Sequence, residues 1–149
     1  MFLVDTCGWI EWLMDTPLAK SYSRYLTSPD SLIVPTLVQH ELYKWLCREI
    51  DQTTALSAIA ATRSAKIIEL DTSLALLAAD IAREFKLVTA DAIIYATARQ
   101  HNATLITSDV HFANLPQVCS NKFGATGRLC FESVVTLKRR LCFALMPFS

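Results

Sequence analysis

Short apolar runs alternate with longer stretches of helical periodicity over most of the chain. The apolar runs predict four β-strands, at residues 2–4, 32–34, 66–70 and 104–107. The periodic stretches predict helices at residues 9–14, 36–50, 53–63, 72–84 and 90–100. A polar stretch around Pro29 and Asp30 separates the first helix from the second strand. Strands and helices therefore alternate along the chain.

Three of these helices begin with residues that can cap an N-terminus. Thr36 and Gln39 have the spacing of a capping box, in which the two residues bond each other's backbone N–H groups. Asp71 and Thr89 stand just before helical stretches and are expected to be N-caps. These residues fix where each helix is expected to start.

The order of the elements predicts the architecture. Parallel strands need helical crossovers, and those crossovers are right-handed, so this alternation predicts a mostly parallel sheet with helices on both faces. The expected fold class is a three-layer α/β/α protein. Ligands of such sheets bind at the carboxyl ends of the strands.

Composition excludes several function classes. With 52% hydrophobic residues in 149, the chain can bury a core as one domain without disulfides or structural metal. Its 14 basic and 14 acidic residues cancel, so phosphate binding must be local or assisted by a metal. Three glycines at this spacing cannot form a dinucleotide fingerprint, a P-loop or a hydrolase nucleophile elbow.

Cysteine usage and the first residues indicate the compartment. The five cysteines include no C-x-x-C pair, which favours reduced thiols over disulfides or structural zinc. The first ten residues carry no basic leader and are interrupted by Asp5, and no apolar run is long enough for a membrane span. We therefore expect a cytoplasmic protein.

The pattern changes after residue 118. Residues 119–149 contain three of the five cysteines, two of the three glycines and the basic run Lys138-Arg139-Arg140. The apolar run at 141–146 fits a final helix or strand, and it fits a translated frameshift or other non-native sequence equally well. We therefore expect a domain at residues 1–118, followed by an atypical C-terminal tail at 119–149.

Four carboxylates stand where predicted strands end or helices begin. Asp5 and Asp109 follow the first and last strands, Glu41 lies in the second turn of a helix, and Asp91 lies in the first turn of another. A parallel sheet brings such positions to one edge. We expect the four acids to share a pocket, outside the core and with no cation placed to neutralise them.

Clustered acids need a counter-charge. At an effective dielectric constant near 20, two like charges about 4 Å apart repel by about 4 kcal/mol, against a stability of about 5–15 kcal/mol for a typical domain. Oxygen ligands with no histidine or thiolate nearby favour Mg²⁺, or Mn²⁺, over zinc. Any one acid alone is better interpreted as a cap or a surface charge, Asp91 as a partner of its helix dipole. The equivalent positions of all four favour a metal site.

Three segments, LVDTCGWIEWL, PTLVQHEL and TADAIIYATARQHNATLITSDVHFANLP, together resemble the PIN-domain ribonucleases, and among these the VapC-like toxins most. The resemblance covers residues 1–118, and the tail inherits nothing from it. It implies catalytic, metal-binding acids at Asp5, Glu41, Asp91 and Asp109. It also implies that Thr6 and Thr107 support the site, that the substrate is RNA and that the partner is an antitoxin.

Other side chains allow two interpretations. Lys44 and Arg48 follow Glu41 on one face of its helix, where they could bind RNA phosphates or form a solvated surface. The aromatic residues of the first two predicted helices favour the core, but the apolar content leaves room for a groove that receives an antitoxin helix or a second copy. Those aromatic residues are Trp9, Trp12, Tyr43 and Trp45. We expect a homodimer.

The expected function is a Mg²⁺-dependent endoribonuclease toxin that hydrolyses RNA phosphodiester bonds with metal-activated water. One alternative is a non-catalytic PIN-like binding or regulatory module with a vestigial acidic cluster. A third is a small-molecule phosphatase, which normally carries a D-x-D pair, whereas Asp5-Thr6-Cys7 lacks the second acid. Metal titration distinguishes the enzyme from the binding module.

Overall fold

The computed structural model describes residues 1–120 and contains one five-stranded sheet in the order β3-β2-β1-β4-β5. All neighbouring strands are parallel, which confirms the predicted sheet. The strands are β1 (Phe2–Val4), β2 (Leu32–Pro35), β3 (Lys66–Ile68), β4 (Thr104–Thr107) and β5 (Val118–Ser120). The central strand β1 pairs with both β2 and β4, aligning Leu3 with Ile33 and Leu105.

Six helices connect these strands within the described residues and complete the expected three-layer α/β/α fold. They are α1 (Thr6–Leu13), α2 (Ala19–Leu26), α3 (Thr36–Glu49), α4 (Gln52–Thr62), α5 (Thr72–Phe85) and α6 (Thr89–Gln100). Single turns of 3-10 helix occur at Pro29–Ser31 and Val110–Phe112. Among residues 1–120, no helix combines the length and the apolar character that a membrane crossing needs.

The core lies between the sheet and its helices. Leu3, Ile33 and Leu105 on the three central strands are completely buried. Gly8 allows α1 to approach α2 closely, since a Cβ atom at this position would lie 2.6 Å from the Tyr22 ring and 2.6 Å from Val4 Cγ1. The start of α1, and with it the residues just after β1, is therefore held tightly against the sheet.

Two predicted helix caps are wrong and one is confirmed. Pro35 is the N-cap of α3 and makes no side-chain cap bond, while the Gln39 amide donates to the Thr62 hydroxyl at 2.8 Å, joining α3 to α4. Val88 precedes α6, so Thr89 is its first helical residue. In both cases the local spacing suggested a cap, but Gln39 makes a tertiary hydrogen bond instead and Thr89 lies inside the helix. Asp71 does cap α5 by accepting the Leu74 N–H at 2.8 Å.

The sheet extends slightly beyond the predicted domain boundary. Strand β5 pairs with β4 through Val118, Cys119 and Ser120, so the first two residues assigned to the tail belong to the sheet. The rest of that tail, including the apolar run at 141–146 and the basic run before it, lies outside the described residues.

Candidate active site

The carboxyl edge of the sheet brings the ends of two adjacent strands together. Strand β1 ends at Val4, which is aligned with Ile106 of β4, and the Asp5 N–H donates to the Ile106 carbonyl at 3.1 Å. Asp5 therefore follows β1 beside Thr107, the last residue of β4. Asp109 follows two residues later on the same edge.

Asp5 is buried, contrary to the expectation that it lies outside the core. Its Oδ1 accepts the Thr6 N–H at 2.7 Å, and its Oδ2 accepts the Thr107 hydroxyl at 2.8 Å and the Cys7 thiol at 3.4 Å. These bonds compensate only part of the cost of burying a carboxylate. Burial raises the pKa of Asp5 above its ordinary value, the three donors lower it, and the charge of Glu41 raises it further.

Thr6 links the two helices that carry the first pair of acids. Its hydroxyl donates to Glu41 Oε2 at 2.6 Å, across the contact between α1 and α3. The same residue supplies the backbone N–H that binds Asp5. Thr6 thus orients Asp5 and Glu41 relative to each other.

The second pair of acids lies beside a histidine. The Nδ1 atom of His111 is 3.0 Å from Asp109 Oδ1 and 3.6 Å from Asp91 Oδ2. Partial burial and the charges of Asp109 and Glu41 raise the pKa of Asp91, while His111 lowers it. Glu41 therefore acts electrostatically on both Asp5 and Asp91. The four predicted acids are thus linked in a series of repelling pairs, Asp5 with Glu41, Glu41 with Asp91, and Asp91 with Asp109.

Two expectations about the surroundings of the acids are wrong. We expected no cation and no histidine nearby, whereas His111 contacts two of the carboxylates. The structural reason is a tight turn after β4, in which Asp109 Oδ1 accepts the His111 backbone N–H at 2.9 Å and brings the imidazole back over the acids. A sulfur atom is also close, that of Cys7.

Cys7 does not behave as a metal-binding thiolate. Burial and the charge of Asp5 raise the pKa of its thiol to about 11, so it is protonated at neutral pH. The thiol lies within 3.5 Å of the hydroxyls of Thr107 and Ser108 as well as near Asp5. The Cys7 thiol is therefore one of the three hydrogen-bond donors to the Asp5 carboxylate, together with Thr6 and Thr107.

The geometry fits a divalent cation. Asp91, Asp109 and His111 each offer a ligand atom, and these three atoms lie within 4.8 Å of one another. Ligands about 2.1 Å from an octahedral ion are about 3 Å apart when adjacent and about 4.2 Å apart when opposite, and the distances of 3.0 Å and 3.6 Å from His111 Nδ1 to the two carboxylates lie within that range. A bound cation would also relieve the repulsion that raises the pKa of Asp91.

The two predicted RNA-binding cations, Lys44 and Arg48, lie in the C-terminal half of α3. Lys44 and Arg48 are both exposed, and the Arg48 Nε atom is 2.6 Å from Glu49 Oε1. Arg48 therefore already has an acidic neighbour. Of the aromatic residues weighed as a groove, Trp9 and Trp12 are buried in the core. Tyr43 and Trp45 pack against the core and are partly buried.

Sequence reasoning missed His111 and Cys7 as parts of this site. The signal for His111 was its position two residues after Asp109, since an Asp side chain commonly binds the backbone two residues ahead and so folds that residue back towards it. The signal for Cys7 was its place two residues after Asp5 in the first turn of α1. Neither spacing by itself distinguishes contact from exposure.

Comparisons with known proteins agree with this architecture. Residues 2–118 match the family model of the PIN domain. A toxin–antitoxin complex from Klebsiella pneumoniae contains a chain that is 25% identical, with a TM-score of 0.69, and the alignment covers 80% of this chain and 97% of that one. A chain of VapBC2 from Rickettsia felis, bound to a promoter DNA fragment, is 15% identical with a TM-score of 0.64, covering 80% and 96%.

A third solved structure is VapC20 from Mycobacterium tuberculosis, described as a sarcin-ricin loop cleaving toxin. It is 21% identical with a TM-score of 0.58, and the alignment covers 70% of this chain and 85% of that one. A search of curated proteins found no match.

Proposed function

The chain belongs to the PIN domain family, and from this membership we propose that it is a metal-dependent endoribonuclease acting as the toxin of a toxin–antitoxin pair. The observation that carries the proposal is the group of acids at the carboxyl edge of the sheet. The charge of Glu41 raises the pKa of Asp5, the charges of Asp109 and Glu41 raise the pKa of Asp91, and nothing in folding alone requires such repulsion.

Four acids would hold the cation, and the residues around them set their positions. Thr107 and Thr6 donate hydrogen bonds to Asp5 and Glu41, which fixes the direction of their carboxylate oxygens. A bound Mg²⁺ or Mn²⁺ supplies positive charge for phosphate oxygens and lowers the pKa of water. The protein residues contribute a partly buried arrangement of anions whose positions are set by these hydrogen bonds.

The proposed reaction is hydrolysis of an RNA phosphodiester bond. The oxygen of water bonds to phosphorus and the bond from phosphorus to the 3′-oxygen breaks. Water gives up a proton to solvent or to a neighbouring carboxylate, and the departing 3′-oxygen takes up a proton from solvent. The products are a 5′-phosphate and a 3′-hydroxyl, and the 2′-hydroxyl takes no part. Lys44, which is exposed on α3, is proposed to contact RNA phosphates.

The relatives support the proposed partner and the proposed substrate class. The Klebsiella pneumoniae relative is described in a toxin–antitoxin complex and aligns over nearly its whole length, which supports an antitoxin partner for this chain. The description of VapC20 as a toxin that cleaves the sarcin-ricin loop supports RNA as the substrate class. A homodimer and a cytoplasmic location stay predictions from the sequence.

Cleavage of a panel of structured RNAs tests the proposal. The full chain should cut at least one RNA in the presence of Mg²⁺ or Mn²⁺, and EDTA should abolish the cleavage. The Asp91→Asn variant is the matched control, because it removes one charge and keeps the shape of the side chain. Equal cleavage by the two proteins would exclude the proposed site. Metal binding without cleavage of any RNA would favour the non-catalytic binding module.

A further inference from the structure

We infer that His111 is a ligand of the metal site and gives it a preference for Mn²⁺ over Mg²⁺. This inference rests on the proposed metal-dependent function and concerns the identity of the ion. An all-oxygen site favours Mg²⁺, which keeps its waters and binds nitrogen poorly. An imidazole among the ligands favours a divalent transition metal, and Mn²⁺ accepts carboxylate oxygens as well.

The position of the imidazole carries the inference. Its Nδ1 atom is 3.0 Å from Asp109 Oδ1 and 3.6 Å from Asp91 Oδ2, and the ligand atoms of the three residues are all within 4.8 Å of one another. A surface histidine attracted only by charge needs one carboxylate partner. This one faces two acids from separate elements, α6 and the turn after β4, at the spacing of ligands around one ion.

The turn that carries His111 is fixed at both ends. Asp109 Oδ1 accepts the His111 N–H at 2.9 Å, and the next residue, Phe112, is buried in the core. The Asp109 N–H in turn donates to the Thr107 hydroxyl at 2.9 Å, which ties the turn to the end of β4. The imidazole is therefore held over the acids by the backbone on both sides, although its side chain is 67% exposed.

A competing explanation makes the opposite prediction. If His111 serves only as a positive counter-ion for the acids, its removal frees the carboxylates and strengthens the binding of both metals. If it is a ligand, its removal weakens Mn²⁺ binding and leaves Mg²⁺ binding nearly unchanged. Removing an imidazole ligand or its support typically costs about tenfold or more in metal affinity.

The test uses the untagged full chain and measures metal binding directly, by calorimetry with Mn²⁺ and with Mg²⁺ and by pulsed EPR of bound Mn²⁺. The EPR signal of the wild type should show coupling to an imidazole nitrogen. His111→Gln should lose that coupling and about tenfold in Mn²⁺ affinity. His101→Gln, at the opposite end of α6 from Asp91, is the matched control and should keep both.

The outcomes separate the inference from the proposed function. An unchanged or stronger affinity for Mn²⁺ in His111→Gln, or no nitrogen coupling in the wild type, overturns the inference while the metal site survives. Failure of both Mn²⁺ and Mg²⁺ to bind the wild type more tightly than Asp91→Asn overturns the proposed function itself.

Discussion

Thr107 donates a hydrogen bond of 2.8 Å to Asp5 across 102 residues of sequence, and both side chains are buried. The same hydroxyl oxygen accepts the Asp109 N–H at 2.9 Å. One side chain at the end of β4 therefore sets the positions of the acid that follows β1 and of the turn that carries a second acid.

Replacing Thr107 should show how much the two hydrogen bonds of its hydroxyl contribute to stability. Thr107→Val keeps the shape but leaves the Asp109 N–H and Asp5 Oδ2 without this partner, and we expect a loss of about 1–3 kcal/mol in the free energy of unfolding. Urea denaturation at neutral pH provides the measurement. Thr107→Ser keeps the hydroxyl and is the control. Equal stability of the Val and Ser variants would show that the hydroxyl is not essential.

Asp5→Asn should stabilise the metal-free protein. The pKa of Asp5 is raised in the folded state, so between its unfolded and folded pKa values the folded chain holds a proton that the unfolded chain has lost. Stability therefore falls as the pH rises above the pKa of the unfolded state, and a penalty is present at neutral pH. Since Asn carries no charge, it avoids this penalty.

The measurement for Asp5→Asn is the melting temperature in EDTA at two pH values. The variant should melt above the wild type at pH 7, and the difference should shrink at about pH 3, where the wild-type carboxyl is protonated in both states. A variant that is less stable than the wild type at pH 7 would mean that Asp5 serves mainly as a helix cap through its bond to Thr6.

Gly8→Ala tests the close packing that positions the start of α1. An added Cβ would lie 2.6 Å from both Tyr22 and Val4, so we expect a loss of about 1–3 kcal/mol in stability from overpacking. Elsewhere in a helix, the same change would stabilise by about 0.5–1 kcal/mol. Thermal unfolding distinguishes the two, and a rise in melting temperature would contradict the tight contact.

Metal should stabilise the fold through the acid cluster. At a metal concentration 100-fold above Kd, the free energy of unfolding should rise by about 2.7 kcal/mol. Asp91→Asn should lose most of this gain, because Asp91 is one of the three residues whose ligand atoms lie within 4.8 Å of one another. Glu84→Gln on α5 is a control acid outside the cluster and should keep the gain. No shift in melting in the wild type would favour the non-catalytic module.

The sequence predicted best the elements with a clear hydrophobic period or a clear helix cap. Strand β4, with its β-branched residues, and α5, with Asp71 as its cap, stand close to where the sequence places them. Helix α2 was missed, although its buried positions, among them Tyr22 and Tyr25, follow helical spacing. Helix α2 has only eight residues and is flanked by polar segments, so its sequence is also typical of a loop.

The sequence predicted that the four acids lie at one edge of the sheet, and it did not predict which side chains surround them. The rule that parallel strands expose their carboxyl ends on one edge was enough to group Asp5 with Asp109. It does not state how deep each lies, and Asp5 is buried because Thr107, Thr6 and Cys7 provide its hydrogen bonds. The contact with Thr107 joins side chains 102 residues apart and cannot be derived from local spacing.

Mapping the ends of cleaved RNA tests the central claim most directly. An RNA cut by the full chain with Mn²⁺ or Mg²⁺ present should carry a 5′-phosphate and a 3′-hydroxyl at the new ends, and Asp91→Asn should leave the RNA intact. A 2′,3′-cyclic phosphate at the new end, or cleavage that persists in EDTA, would contradict hydrolysis at a metal site built from these acids.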